Sequence, residues 1–233
     1  MPILSVTDIS REAREAAERS ELGVLEHAFA LIPLGLIKAK KDVGNRLYAF
    51  RDGLIRHDAG KGAAPQVFRW DQIETTYQSR TIHLYNGRYS GTKYQYRFIR
   101  ADGAELRLEG QFIDPQRASR MLTRATSRDE QRYADVGNAA CGRIAQTKLP
   151  AAIRAIEAGT TLSFGKISIS FAGVHTKKGV VPWQDLSGLQ VRDGMVVIRK
   201  ENKYLALTVH VVRSIPNFPL FYALADAMYR RRN

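Results

Sequence analysis

Asp52-Gly53-Leu54-Ile55 runs, after a loop, into Arg69-Trp70-Asp71-Gln72-Ile73; Ala172-Gly173-Val174-His175 runs, after a shorter loop, into Pro182-Trp183-Gln184-Asp185-Leu186. Each stretch is a glycine, a short strand, a basic turn, a tryptophan, two polar residues and an aliphatic residue. The two tryptophans are the only ones in the chain. Motif, order and context recur together, which marks an internal duplication. Each copy continues into antiparallel strands and then into an amphipathic helical stretch. A lone meander or a lone helix cannot hide its apolar face, whereas the two together bury it. The spacing therefore predicts two units, each a bent antiparallel sheet closed by a helix.

The flanking sequence follows that plan. Residues 11–21, REAREAAERSE, combine strong helix formers with Glu and Arg at helical spacing and read as a short solvated helix. Strands are expected at Leu47–Phe50, Leu54–His57, Gln66–Trp70, Thr75–Tyr85 and Thr92–Arg100, with Asn86–Gly91 as a loop. Asp114-Pro115 starts a helix whose stripe is Ala118, Met121, Leu122 and Ala125. A second helical stretch covers about Gln131–Ala158, with a break expected at Pro150 and an end at Gly159. After Gly159 seven short apolar runs return, separated by Gly-containing and charged turns. A last helix, capped by Asn217 or Ser214, has Leu220, Phe221, Leu224, Ala227 and Met228 on its apolar face.

These features resemble those of an uncharacterised bacterial family of tandem PH-like (pleckstrin-homology-like) domains. The points of likeness are Gly53, Trp70, Ile73, Gly173, Trp183, Leu186, Pro216 and Asn217, and the likeness runs from Leu22 to the C-terminus. It implies an α+β fold of two PH-like units, each a bent sheet or partial barrel closed by a C-terminal helix. The expected division is an N-terminal helical segment at 1–21, a first unit at 22–128, a helical connector at 129–158 and a second unit at 159–233. The residues that carry the likeness are structural, and the family has no agreed activity.

Composition narrows the function classes. The chain has 233 residues, 44% hydrophobic and 25% charged, within the range of folded globular proteins. The net charge is +13. Net charge runs −3 over residues 1–37, +9 over 38–128, zero over 129–158 and +7 over 159–233. One cysteine, Cys141, excludes an intramolecular disulfide and a multi-cysteine zinc site and fits a reducing, cytoplasmic setting. Residues 1–21 are polar where a signal peptide needs an apolar core. His27–Ile37 is too short for a span and is broken by Pro33 and Gly35, so a buried segment and no transmembrane span is expected.

Chemistry-bearing patterns are sparse. The five histidines (His27, His57, His83, His175 and His210) show no paired metal-ligand spacing. His57 and His175 fall near matching repeat positions. No nucleophile elbow, phosphate loop or dinucleotide fingerprint occurs. The expectation is a non-enzyme with no cofactor and no metal; an enzyme would need distant groups such as His83 and Glu105 to meet. What remains is basic surface. The candidate anion- or partner-binding residues are Lys61, Arg69, Arg88, Lys93, Arg97, Lys177, Lys178 and Lys203, with Lys61 and Lys177/Lys178 in corresponding turns. The partners these suit are an acidic protein segment or anionic lipid headgroups at the inner membrane face. The alternative is nucleic acid, held by the Arg/Tyr alternation around Gln95–Arg100 and the Arg230–Arg232 tail. The sequence leaves the oligomeric state open.

Overall fold

The structure is a computed structural model that describes residues 3–32, 42–114, 116–117, 126–200 and 208–232. The strands are β1 (Ile3–Ser5), β2 (Leu25–Leu31), β3 (Asn45–Phe50), β4 (Gly53–Asp58), β5 (Gln66–Arg69), β6 (Ile73–Tyr85), β7 (Arg88–Arg100) and β8 (Glu105–Phe112), then β9 (Leu162–Phe164), β10 (Ile167–Ser170), β11 (Gly173–Thr176), β12 (Gly179–Pro182), β13 (Leu186–Arg192), β14 (Met195–Lys200) and β15 (Thr208–Val211). The helices are α1 (Arg11–Arg19), α2 (Thr126–Glu157) and α3 (Phe218–Arg232). The fold is α+β. It divides into two compact units, 1–74 with 80–140, and 75–79 with 141–233.

The first unit holds the antiparallel sheet β1-β2-β3-β4-β5 and the sheet β6-β7-β8, whose Thr75–Ser79 stretch of β6 is grouped with the second unit. Alternation puts Leu47, Ala49 and Leu54 on one face of the first sheet and Tyr48, Phe50 and Ile55 on the other. Both faces are apolar, so both need cover. The second of them is covered by α1, whose Ala13, Ala16 and Ala17 pack on Tyr48, Phe50 and Ile55. The helix expected to be solvated therefore buries an alanine stripe. Its N-cap is Ser10, whose Oγ accepts from Ala13 N–H at 3.2 Å and shares a proton with His57 Nδ1 at 2.9 Å.

The second unit holds the sheets β12-β11-β10-β9 and β13-β14-β15. Ile167, Ile169, Val174, Val181, Val196 and Ile198 from both sheets share one core with Phe221, Leu224 and Met228 of α3. The face of α3 is as the sequence predicts, except that Ala225 is buried where Ala227 is only half-buried. Asn217 stands just before α3 with φ +51, a conformation that asparagine tolerates. It stands at the N-cap of α3, its carbonyl accepting from Phe221 N–H at 2.9 Å. Its N–H donates to Thr76 O at 2.8 Å, and its Oδ1 accepts from Thr76 N–H at 2.9 Å.

The tryptophans occupy matching places. Trp70 and Trp183 each open a 3-10 turn that leads into β6 or β13. Trp70 Nε1 donates to Arg51 O at 2.8 Å, and Trp183 Nε1 donates to Ser170 O at 3.2 Å, each a carbonyl where the preceding hairpin begins to turn. Gly53 pairs with Arg69 and Gly173 with Pro182, in each case the residue before the tryptophan. A Cβ on Gly53 would stand 2.8 Å from Phe68 O, and one on Gly173 would stand 2.7 Å from the Val181 carbonyl carbon. The glycines are there because the neighbouring strand comes that close.

Two expectations are corrected. Pro150 does not break the helix: α2 is continuous over Thr126–Glu157. The carbonyl that Pro150 leaves without a partner belongs to Gln146, and both residues are exposed, so water satisfies it while Ala152 and Ile156 stay in the core. The helix expected as a connector over 129–158 also contributes core side chains. In the first unit Tyr133 stacks edge-on against Phe29 with centroids 5.3 Å apart, and Gly137 lets the Tyr96 ring lie on the helix backbone. Lastly, Asn86–Gly91 is not a loop. Asn86 (φ +48) and Gly87 (φ +72) form a two-residue turn, and the strand resumes at Arg88. The helix expected over 114–125 falls mostly outside the described residues; at its start there is a turn, with Gln116 N–H donating to Asp114 Oδ1 at 2.9 Å.

Candidate docking surfaces

In the second unit the cations sit on turns that the local sequence forces. Gly165 (φ +74) reverses the chain between β9 and β10 and leaves Lys166 exposed. Between β11 and β12, Thr176 Oγ1 accepts from Lys178 N–H and donates to Gly179 O, both at 3.1 Å. That bracket holds Lys177 and Lys178 out into solvent. His210 on β15 is close enough to feel both turns. Burial first, then Lys166 and Lys177, hold its pKa below the ordinary histidine value. Lys166 and Lys177, from two separate turns, therefore add to one positive field at His210, whose own imidazole they hold toward its neutral form. Among the described residues no carboxylate lies within ion-pair distance of Lys166, Lys177 or Lys178. Lys203 lies outside the described residues.

In the first unit several predicted anion ligands are already committed. Arg69 pairs with Asp71 at 3.0 Å and donates to Ser20 O at 2.5 Å. Lys61 pairs with Asp58 at 3.1 Å. Arg97 faces Arg107 directly across the β7–β8 ladder, a like-charge pair that would repel. Glu105, two residues along on the same face, resolves it by accepting from Arg97 Nε at 2.6 Å and from Arg107 Nε at 2.5 Å. Those hydrogen bonds hold the Glu105 carboxyl at a pKa of about 2. Glu105 is thus bound as a structural anion rather than left to work with His83. His57, buried against Ser10, and His175, bonded to Ser170 Oγ at 2.7 Å, are not one shared surface feature. They sit four and two residues after their respective glycines.

Arg88 and Lys93 are exposed, and among the described residues neither has a carboxylate within ion-pair distance. Both lie on the β6–β7 ribbon. β8 pairs with β7 only from Thr92 to Ile99, so the turn end of the ribbon stands beyond it. That end exposes Ile82 at 48%, Leu84 at 64% and Tyr85 at 74%. Tyr89 anchors its base, sharing a hydrogen bond with Thr92 Oγ1 at 2.9 Å and accepting from Asp114 N–H at 2.9 Å. Reading Asn86–Gly91 as a loop hid this arm, although the Asn-Gly dipeptide was the available signal. A second signal is charge: from Thr75 to Ala101 there is no acidic residue, while Arg80, Arg88, Lys93, Arg97 and Arg100 all fall there.

Two further features bound the chemistry. A groove of about 280 Å³ lies between β13 and α3, lined by Trp183, Leu186, Gly188, Tyr222 and Tyr229, with Asp226 its one carboxylate. Among the described residues no group of three His, Cys, Asp or Glu side chains is placed to hold a metal ion, and no helix is long and apolar enough to cross a membrane.

Fold and surface together define an α+β protein of two β-rich units, each displaying cations on its turns. Residues 24–232 match the model of DUF6585, a family of unknown function, and the chain belongs to that family. Comparison with curated proteins and with solved structures finds no match.

Proposed function

We propose that the chain is a non-enzymatic binding module of two PH-like units that docks on an anionic membrane face. The observation that carries this reading is three exposed cations on two turns of the second unit, Lys166 on one and Lys177 and Lys178 on the other, none of them within ion-pair distance of a carboxylate among the described residues. Turns at the end of a sheet present cations without disturbing the core behind them, and an anionic bilayer surface attracts each by about 1 kcal/mol. A cytoplasmic protein, peripheral at the inner face of a bacterial membrane, fits that chemistry. An acidic protein segment would satisfy the same cations and is the competing partner.

The test is co-sedimentation with vesicles of phosphatidylcholine alone and with added phosphatidylserine. Pelleting is expected only with the anionic lipid and should weaken as salt rises. Reversing Lys166, Lys177 and Lys178 to Glu should reduce binding by at least about a hundredfold, from three contributions of about 1 kcal/mol each. Absence of lipid-dependent pelleting would remove the membrane reading. A salt-steep gel shift in its place would support nucleic acid.

A further inference from the structure

The two units differ where they should match. In each, the hairpin after the tryptophan turns on two left-handed residues, Asn86-Gly87 in one and Asp193-Gly194 in the other. Yet β6 has 13 residues, against 7 for β13. At about 3.3 Å per residue the first hairpin reaches roughly 20 Å further. The turn end of β7, Arg88–Gly91, lies beyond β8, whose pairing starts at Thr92, whereas in the second unit Met195 beside the turn is itself paired with Val211. The first hairpin ends in three exposed apolar side chains in a stretch free of acidic residues.

We infer that the β6–β7 arm is a wedge that enters the headgroup–acyl boundary of an anionic bilayer, with Ile82, Leu84 and Tyr85 inserted and Arg88 and Lys93 on the headgroups. Three side chains at the end of a ribbon offer far less than the roughly 1,200–2,000 Å² of a stable protein interface. A bilayer accepts a convex apolar tip, whereas a protein partner must supply a matching groove. A second copy of this chain would bring one cationic arm to another in a protein of net charge +13. Aliphatic Ile82 and Leu84 give a nucleic-acid base nothing to stack on. Tyrosine suits the boundary because its ring can enter while its hydroxyl stays wet. Insertion stops at that depth, because the outer edge of β6 carries backbone groups that need water. The tight turn sets the tip's shape before binding, which lowers the ordering cost.

The wedge shares its choice of partner with the proposed function but rests on different residues, so the two can fail separately. A Tyr85→Trp variant of the full chain places a reporter at the tip, since Trp70 and Trp183 are buried. With phosphatidylserine-containing vesicles its emission should shift blue and be quenched by lipids brominated on the acyl chains. With phosphatidylcholine alone it should do neither. Ile82→Ser and Leu84→Ser should each weaken partitioning roughly tenfold without moving the unfolding midpoint, because both side chains are exposed. Quenching that survives reversal of Lys166, Lys177 and Lys178 to Glu would support the wedge independently of the second unit's cations. Retained pelleting without quenching, and with the serine variants binding like the parent, would overturn the wedge and leave the proposed function standing. No pelleting with any vesicle would overturn both.

Discussion

Gly173→Ala tests the physical basis of the repeated motif. A Cβ at this position would lie 2.7 Å from the carbonyl carbon of Val181 and 2.9 Å from Pro182 Cα, with the Val181 oxygen in the way as well. Ordinary contact begins at 3.4 Å, so β12 must retreat by about 0.7 Å to clear the carbon alone, and further to clear the oxygen. The obstacle is backbone, so no side-chain rotation relieves it. The retreat strains a ladder of only four residue pairs, Gly173 to Thr176 against Pro182 to Gly179. Weakening two of its hydrogen bonds costs about 1 kcal/mol each, and overpacking adds about 1–3 kcal/mol. The sum, about 3–5 kcal/mol, is a large share of the roughly 5–15 kcal/mol that holds a typical domain together. Urea unfolding followed by tryptophan fluorescence reads it, because Trp183 sits one residue beyond the strained pair. Gly53→Ala should cost less, about 2 kcal/mol, because one of its obstacles is the movable Leu22 side chain. Gly62→Ala, which meets nothing within 4 Å, should cost only about 1–2 kcal/mol for its positive φ. If Gly173→Ala unfolded within 0.5 kcal/mol of the parent, close strand approach would not be the reason for the glycine.

Three other outcomes follow from particular contacts. Asn217→Ala removes the acceptor for the N–H of buried Thr76, and Asn217→Gly does the same without the strain at φ +51; both should lose about 1–3 kcal/mol in a denaturant melt, with alanine the worse. The hydrogen bonds from Arg97 and Arg107 depress the Glu105 pKa from 4.5 to about 2. A depressed carboxyl stabilises the fold above its unfolded pKa, and that contribution is lost as pH falls from about 4.5 through 2; the acid-unfolding curve of Glu105→Gln should be flatter over that window, and an identical curve would contradict the assignment. Burial pushes the Cys141 thiol up to about 12, so a thiol reagent should label it only at the rate of unfolding and rapidly in denaturant.

Much of the architecture was legible because it is written in local periods. Trp70 and Trp183, with the glycines that face their neighbouring residues, mark the same corner in both units. The face of α3 and the turns at Lys177-Lys178 and Asp193-Gly194 lie where short-range chemistry puts them. The candidate surface was legible only by composition. Eight cations could be named, but Lys61, Arg69 and Arg97 turned out to be held by Asp58, Asp71 and Glu105. Local turn geometry decides the first two, and the β7–β8 register decides the third.

By itself the sequence determined the α+β class, the repeated tryptophan corner, the basic balance and the positions of the turns, because each depends on residues within a few places of one another. Only the tertiary structure decided that α2 runs unbroken through Pro150, that α1 covers a second apolar sheet face, and that β6 and β7 extend into an exposed arm. It alone also decided which cations are left unpaired. All of these depend on groups that meet only after the strands have found their partners, and no local pattern records which partner a strand will find.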